Sequence, residues 1–376
     1  MAIGKIYPAT KQYLWGGEKL VRGYGISSSE TPVAEAWMLS AHPDGDSLIA
    51  FTTENKYSFP AEVHSANEPG IQSFSAYIKA QPEVLGSLGK SFPFFPTLIK
   101  LIDAKEALSI QVHPDDSYAL SKEGQYGKTE MWIVLEREKD AFLYFGFQKE
   151  YTEDEIRKAI EEENFPSLLC KVLVNPGDVF FIPAGTVHAI GSGIVLAEVQ
   201  QNSNLTYRVY DYGRKDALGN TRELHVEKAL KVMDRKKISD FMQEELKGLG
   251  KRKVGENAYK ERIASCPYFT VERLFLEAKG CYTGQMTEES FLSILVLEGE
   301  AILKEEGKRD ISEGTEQNKS SATVFEKTKQ QQNANTAVEV FVKKGESFFL
   351  PAGNSQWSLR GKGQFLLTFL WADKER

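Results

Sequence analysis

The sequence predicts a mainly β protein made of two related barrels of the jelly-roll type, with helical insertions. Short runs of β-branched and aromatic residues separated by turn-forming residues recur along the 376-residue chain, as in sandwiches and barrels. A turn pattern in the first half of the chain returns in the second half, which indicates a duplicated unit. Helical periodicity is confined to a few segments.

The strands are predicted from short runs of apolar and aromatic residues. They are SLIAFTT (47–53), LSIQVH (108–113), MWIVLE (131–136), AFLYFGF (141–147), CKVLV (170–174), DVFFIPA (178–184) and IVLAEVQ (194–200). Helices are predicted for TEDEIRKAIEEE (152–163), where Thr152 and Glu155 have capping-box spacing, and for RELHVEKALKVMD (222–234). The polar segment 58–92 is expected to be largely helical.

The repeated unit is a strand followed by a tight turn. PGDVFFIPAGTVHAI (176–190) and KGESFFLPAGNSQWSL (344–359) share the pattern Gly-x5-Pro-x-Gly-x2 at an offset of 168 residues. The corresponding positions are Gly177 and Gly345, Pro183 and Pro351, Gly185 and Gly353, and His188 and Gln356. One copy therefore ends in histidine and the other in glutamine.

Two domains are expected from this repeat, residues 1–250 and 251–376, with a junction near 240–262. Strand-like LSILVLEGEAIL (292–303) is followed by a polar, low-complexity stretch near 304–338. We interpret that stretch as an extended loop inserted into the second barrel.

Composition excludes several classes of protein. A formal net charge of −7 and a pI near 5.5 argue against a nucleic-acid groove. No apolar run is long enough for a membrane span, and the N-terminus has no apolar signal core. Three widely spaced cysteines without a CxxC pattern suggest a reduced compartment. The expected location is therefore the cytoplasm, without nucleic-acid or membrane partners.

The first copy of the repeat carries a candidate metal site. Gly-x5-Pro-x-Gly-x2-His is the second half of the cupin signature, a hairpin that directs one imidazole, here His188, into a barrel mouth. Gln111 and His113 are spaced to share one face of an upstream strand, and Glu130 begins another strand. Together the four side chains form a nitrogen and oxygen donor set for Zn²⁺ or another first-row divalent ion.

Other histidines do not form such a group. A single histidine on a strand is usually packed or solvated, and only the combination of the four residues favours a metal. Structural roles are expected for His42, His64 and His225, although His42 could border the pocket. Because no histidine follows His225, one ion per chain is expected, in the first cupin-like barrel only.

Long segments resemble one enzyme family, the type I mannose-6-phosphate isomerases in their shorter bacterial form. They are FFPTLIKLIDAKEALSIQVHPDD (94–116), GKTEMW (127–132), and PGDVFFIPAGTVHAIGSG with LAEVQQNSNLTYRVYDYGR inside 176–214. The similarity extends to YLWGGEKL (13–20) and EAWMLSAHPDG (35–45), and so covers most of residues 1–235. The tail, 260–376, is recognisable only as a second cupin-like domain.

The resemblance implies a role for individual residues. It implies that the metal is zinc, held by Gln111, His113, Glu130 and His188. Arg208 matches the family's catalytic arginine, and the positions that line the sugar-phosphate pocket match Lys100, Ser109 and Lys128, with Lys128 also close to the chemistry. Many relatives have aspartate where this chain has Asn204, so an acid–base role there is in doubt.

The implied reaction interconverts D-mannose 6-phosphate and D-fructose 6-phosphate through a cis-enediol. Glu198, ten residues before Arg208, is a candidate base, and a carboxylate that orients a metal ligand is an equal alternative. Lys100 interrupts the apolar run TLIKLI, where an unused ammonium would be costly. For Arg208, pairing with Asp211 or another carboxylate at the barrel rim is the alternative to catalysis.

Two other function classes remain open at this point. A metal-dependent cupin oxygenase would use iron, but such enzymes commonly present His-x-His where this chain has Gln111 and His113. A non-catalytic sugar-binding cupin would not need the complete ligand set or Arg208.

Overall fold

The structure is a computed structural model that describes residues 3–51, 59–63, 65–215, 218–238, 250–306 and 337–371. Strands dominate these ranges, which confirms the mainly β class. The α-helices are short insertions between strands: Lys19–Tyr24, Phe74–Ala80, Gly86–Gly89, Asp116–Lys122, Glu153–Glu161 and Val226–Val232, with 3₁₀ turns at Pro82–Leu85 and Phe165–Leu168. None of the described helices is long and apolar enough to cross a membrane.

Two helices test the predictions from local pattern. Glu153–Glu161 begins after Thr152, whose side chain and that of Glu155 form the predicted capping box. The second helix covers only Val226–Val232 of the segment 222–234. Segment 58–92 is helical only in part, since it also contains the strand Ile71–Ser73 and lies partly outside the described residues.

The N-terminal part of the chain forms two antiparallel sheets that pack face to face. The six-stranded sheet has the order Val179–Ile182, Glu130–Arg137, Ile194–Gln201, Thr97–Ala104, Glu35–Leu39, Ala9–Lys11. The five-stranded sheet has the order Leu169–Leu173, Phe142–Phe147, His188–Ile190, Ile110–Val112, Tyr207–Tyr210. Between them, Trp132 and Leu196 of one sheet share a buried cluster with Leu143 and Phe145 of the other.

The C-terminal part forms a larger sheet that includes strands from the beginning of the chain. Its order is Arg252–Cys266, Phe269–Gln285, Gln356–Phe369, Leu292–Glu306, Ser347–Leu350, Gly4–Tyr7, Leu48–Phe51, Ile71–Ser73, and Val338–Lys343 also pairs with Leu292–Glu306. A separate two-stranded ribbon is formed by Ala41–His42 and Gly45–Asp46.

The larger sheet joins both ends of the chain, because Gly4 pairs with Phe349. One buried cluster likewise contains Ile99 and Val199 of the six-stranded sheet together with Leu366 of the C-terminal sheet. The division at residue 250 and the closure of two separate barrels stay predictions. Residues 239–249 of the predicted junction, 307–336 of the polar insert, and His64 lie outside the described residues.

The repeat seen in the sequence is also a repeat in structure. Strands Val179–Ile182 and Ser347–Leu350 occupy corresponding positions, and the strands after the turns begin at His188 and Gln356. Gly177 and Gly345 have φ values of 95° and 83°, which only glycine adopts readily. The turn glycines differ, since Gly185 has a φ of 89° and Gly353 does not have a positive φ. The two copies therefore share the strand and its preceding glycine, while the turns that lead to His188 and Gln356 have different backbone conformations.

Candidate metal centre and adjoining cavity

Residues of both N-terminal sheets converge on one buried point. Gln111 lies on the strand Ile110–Val112 and His113 follows it, while His188 begins the neighbouring strand. Glu130 begins a strand of the opposite sheet. His113, Glu130 and His188 are fully buried and place possible ligand atoms within 4.8 Å of one another.

The donor atoms face each other at short range. His188 Nε2 lies 3.1 Å from Glu130 Oε1, and His113 Nε2 lies 3.6 Å from Glu130 Oε2. Gln111 Nε2 lies 3.4 Å from His188 Nε2. The four predicted ligands are thus brought together.

Each imidazole is oriented by a backbone carbonyl. His113 Nδ1 donates to the Leu205 carbonyl and His188 Nδ1 to the Thr186 carbonyl, both at 2.8 Å. A carbonyl can only accept, so Nδ1 carries the proton, and in the neutral ring Nε2 presents its lone pair to the centre. Metal-bound histidines commonly have this second hydrogen bond.

The carboxylate of Glu130 lacks the hydrogen bonds that burial normally requires. Neither of its oxygens has a hydrogen-bond partner among the described residues, although Lys128 Nζ forms an ion pair with Oε2 at 2.7 Å. Lone pairs of His113 and His188 therefore face an anionic group, and Lys128 Nζ also lies 3.2 Å from His113 Nε2. A cation at the centre would satisfy all of them, so these residues fit a divalent metal.

The protonation states also suit a metal. Burial lowers the pKa of His113 well below its ordinary value, and the charge of Lys128 lowers it further. Burial would raise the pKa of Glu130, but Lys128 and the two histidines outweigh it and hold this pKa well below its ordinary value. Neutral imidazole and ionised carboxylate are the forms that bind metal ions.

A cavity of about 240 Å³ adjoins this group. It is lined by all the residues that the sequence suggested for substrate binding or catalysis, which are Lys100, Ser109, Lys128, Glu198 and Arg208. The metal-ligand candidate Gln111 also lines it. Lys100 and Lys128 are only 3% and 5% exposed. Both ammonium groups are therefore buried and are not solvated surface charges.

Lys100 is held by carboxylates of two neighbouring strands. Its Nζ lies 3.3 Å from Glu35 Oε2 and 3.5 Å from Glu198 Oε1, and 5.0 Å from the centre of the Trp37 ring. Burial would lower the pKa of Lys100, but the surrounding carboxylates outweigh it and raise the pKa. The ammonium is charged at neutral pH and fixed in place.

Glu198 has one fixed and one open oxygen. Oε2 accepts a hydrogen bond from Trp132 Nε1 at 2.8 Å. Oε1 lies 3.5 Å from Lys100 Nζ and 3.9 Å from Lys128 Nζ, without a hydrogen-bond partner in the described ranges. Glu198 is linked to metal-ligand candidates through the Trp132 ring, which packs edge-on against His188 at 5.3 Å, and through Lys128, which also pairs with Glu130. Burial raises the pKa of Glu198, and the neighbouring Glu130 raises it further.

Arg208 faces the cavity and does not pair with Asp211. Its Nε donates to Ser109 Oγ at 3.3 Å and its Nη1 to the Glu223 carbonyl at 2.9 Å. Asp211 instead accepts hydrogen bonds from Arg214 and Arg222. The rim ion pair considered from the sequence is therefore wrong.

Comparison with known proteins places this site in a family. The family of phosphomannose isomerase type I catalytic domains matches residues 3–135. Mannose-6-phosphate isomerase ManA of Bacillus subtilis (strain 168) is 35% identical over 295 residues, which are 78% of this chain and 84% of the relative. The chain belongs to the type I mannose-6-phosphate isomerase family.

Other relatives of this family agree. The mannose-6-phosphate isomerase of Streptococcus mutans is 37% identical over 220 residues, 58% of this chain and 64% of the relative. The crystal structure of the mannose 6-phosphate isomerase from Bacillus subtilis has a TM-score of 0.75 at 28% identity, covering 98% of this chain and 99% of that one. A phosphomannose isomerase variant from Salmonella typhimurium shares the fold, with a TM-score of 0.67 at 18% identity, covering 98% of this chain and 100% of that one.

Several cavity residues were missed in the sequence. Tyr13, Trp15, Glu35 and Arg222 line the cavity, and the first two rings stack at 5.3 Å. Three of them lie in the family-like segments 13–20 and 35–45, but nothing in their spacing relates them to the metal ligands. Arg222 lies in the segment interpreted as helical.

The remaining polar candidates have structural contacts. His42 does not line the cavity, and its Nδ1 accepts from the Asp44 backbone N–H at 3.1 Å. His225 Nδ1 accepts from the backbone N–H of Arg208 at 3.2 Å. Asn204 lines the cavity and donates to Asp44 Oδ2 at 2.9 Å.

Proposed function

We propose that the protein is a zinc-dependent isomerase that interconverts D-mannose 6-phosphate and D-fructose 6-phosphate through a cis-enediol. The observation that carries this proposal is a buried group of His113, Glu130 and His188 next to a cavity lined by buried cations, in a chain of this family. We further propose one Zn²⁺ per chain and a cytoplasmic enzyme whose partner is a small sugar phosphate.

The metal would be held by Gln111, His113, Glu130 and His188. Bound there, Zn²⁺ would act as a Lewis acid that stabilises negative charge on the sugar oxygens. Two histidines and one carboxylate also suit non-haem iron, so the preference for zinc rests on the family resemblance.

Substrate binding is assigned to Lys100, Ser109 and Lys128. The dianionic phosphate requires cations, and both ammonium groups are buried in the wall of the cavity. Electrostatic attraction is stronger in such a site than in water. Ser109 Oγ already accepts from Arg208, and its own hydroxyl hydrogen can be donated to the substrate.

Proton transfer is assigned to Glu198 and Lys128. The open oxygen of Glu198 would take the proton from C2, breaking that C–H bond, and the resulting carboxylic acid would return it to C1. Burial, which raises the pKa of this carboxyl, makes it a stronger base than an exposed glutamate. Lys128, whose Nζ lies 3.9 Å from Glu198 Oε1, would donate a proton to the C1 carbonyl oxygen and, as the resulting amine, take the proton of the C2 hydroxyl.

Arg208 is proposed to stabilise the developing negative charge. Two of its N–H groups are used by Ser109 and the Glu223 carbonyl, and others stay available to the cavity that it lines. Charge-assisted hydrogen bonds from a guanidinium strengthen as an oxygen becomes anionic.

The direct test is turnover of mannose 6-phosphate by the purified protein, with metal analysis, before and after treatment with a chelator. We expect turnover that is lost with the metal and restored by Zn²⁺. Zinc-loaded protein that isomerises neither sugar phosphate would instead identify a binding protein. Iron in the purified protein, together with oxygen consumption, would identify an oxygenase.

The role of Glu198 has its own test. Glu198→Gln keeps the acceptor for Trp132 but removes the base, so we expect zinc to be retained and kcat to fall by about two orders of magnitude or more. Loss of zinc in this variant would show that the carboxylate acts by orienting the metal ligands.

A further inference from the structure

A second cavity lies within the C-terminal sheet. This C-terminal cavity, of about 170 Å³, is lined by side chains from four strands, among them Lys260, Glu272, Tyr282, Trp357 and Phe369. None of its lining residues lines the cavity beside the metal centre. It is therefore a separate site.

Two polar side chains of the cavity come from one long strand with an irregular register. Glu272 and Tyr282 both belong to Phe269–Gln285, and the register of this strand against Gln356–Phe369 is irregular between Leu276 and Gly280. Both side chains reach one lysine, since Lys260 Nζ contacts both of them. Bulges commonly redirect side chains in this way.

Its polar groups form a built network. Lys260 Nζ lies 2.6 Å from Glu272 Oε2 and donates to the Tyr282 hydroxyl at 3.2 Å. Glu272 is only 4% exposed, and its other oxygen lies 3.6 Å from Arg262 Nη2. Because the Tyr282 oxygen accepts from the ammonium, its own hydrogen is available for donation, while the carboxylate keeps lone pairs for further donors.

An aromatic wall completes the cavity. Trp357 is buried and packs edge-on against Tyr282, with ring centres 5.3 Å apart. Gly284 lies against the indole, since a Cβ at that position would be 2.5 Å from its Cε2 atom. Within the described part of the chain no hydrogen bond is formed by Trp357 Nε1, which is therefore a further available donor. Phe369 adds apolar surface.

We propose that the C-terminal cavity binds a neutral monosaccharide. Such a ligand presents C–H faces that pack on aromatic rings and hydroxyl groups that both donate and accept hydrogen bonds. The cavity offers Tyr282 and Trp357 as donors, Glu272 as an acceptor, and aromatic surface between them. The lining also includes Glu289, and Arg262 lies beside Glu272, so two carboxylates accompany two cations. Neither an anionic nor a cationic ligand matches this paired charge.

This site is independent of the isomerase activity proposed above, and the experiment separates the two. D-mannose and D-fructose are titrated in saturation-transfer NMR against His188→Ala, in which the metal centre is disabled. We expect both the wild-type protein and this variant to bind a neutral sugar. In the His188→Ala background, Tyr282→Phe should weaken binding about fivefold and Glu272→Gln about tenfold, the scale of one neutral and one charged hydrogen bond.

The matched control is Tyr259→Phe, because Tyr259 precedes Lys260 on the same strand but does not line the cavity. It should leave sugar binding unchanged. Isomerase turnover in otherwise wild-type protein should be unaffected by Tyr282→Phe.

Absence of sugar binding in His188→Ala would overturn the proposal. Equal sugar affinity of the Tyr282→Phe, Glu272→Gln and Tyr259→Phe variants would also overturn it. Displacement of the neutral sugar by inorganic phosphate would show that the ligand is an anion and would also overturn it. None of these results would bear on turnover of mannose 6-phosphate by the wild-type protein.

Discussion

Replacing Arg208 with alanine separates catalysis from binding at this site. The side chain provides no metal ligand, and its fixed contacts are Ser109 Oγ at 3.3 Å and the Glu223 carbonyl at 2.9 Å. Its removal therefore leaves no buried charge without a partner. What is lost is the set of N–H groups directed at the cavity.

The expected magnitude follows from that loss. A single strong donor to an oxyanion contributes about two to three orders of magnitude in kcat, and a guanidinium that provides two such bonds contributes up to about four. Because the negative charge appears only as the enediolate forms, kcat should fall by roughly 10² to 10⁴ while KM changes much less. Arg208→Lys should recover part of the loss through its charge, without the fork of donors.

The assay combines steady-state kinetics for mannose 6-phosphate with zinc analysis of the same preparation. Ser109→Ala is a comparison variant, because it removes a substrate-binding hydroxyl that contacts the guanidinium and leaves the guanidinium itself in place; it should raise KM more than it lowers kcat. A kcat near that of the wild type in Arg208→Ala would refute the reasoning. Zinc lost together with activity would make the arginine structural.

Four further predictions concern other positions. His113→Ala and His188→Ala should each lose zinc and turnover together while circular dichroism shows a retained fold, and full zinc with full turnover in either would exclude that ligand. Lys100→Ala should raise KM for mannose 6-phosphate more than it lowers kcat, and an unchanged KM would exclude this lysine from the substrate site. The acidic limb of the pH–rate profile should also move to higher pH, because the pKa of the neighbouring carboxyls rises when the cation is removed. Gln356→Ala should leave metal content unchanged, whereas loss of a second stoichiometric ion would reveal another site. Burial raises the pKa of Glu305 in the folded protein. Its carboxyl is therefore compatible with the folded state below its ordinary pKa and destabilises that state as pH rises through the pKa of the folded protein. Glu305→Gln should increase the free energy of unfolding by about 1–3 kcal/mol near pH 8 and by little at pH 4, and thermal melts at the two pH values would measure this.

Features specified by a few neighbouring residues could be predicted from the sequence. The capping box of Thr152 and Glu155 needs only a hydroxyl and a carboxylate at fixed spacing, and the structure contains it. Gln111 and His113 share a face because strand geometry alternates every residue. The turn before His188 is equally local, since proline fixes its own φ and glycine permits the positive φ that other residues avoid.

Features that depend on chain topology could not be predicted. Lys100 in an apolar strand indicated that its ammonium must be used, but nothing near it in the sequence identified Glu35 as its partner. Nor could the pairing of Gly4 with Phe349 be read from two short apolar runs at opposite ends of the chain. Such contacts are decided by which strands become neighbours, and hydrophobic pattern alone leaves many arrangements open.

The charges around the two sites differ in a way that follows from their roles. When ionised, Glu35, Glu130 and Glu198 balance Lys100, Lys128 and Arg208 at the metal-side cavity. Arg222, which also lines this cavity, is paired with Asp211. A divalent ion would give this buried region two positive charges in excess, and a dianionic phosphate would restore the balance. The cavity of the C-terminal sheet, by contrast, already pairs Lys260 with Glu272. Because an unbalanced buried charge is costly, the first arrangement favours binding metal and phosphate together, whereas the second favours a ligand without charge.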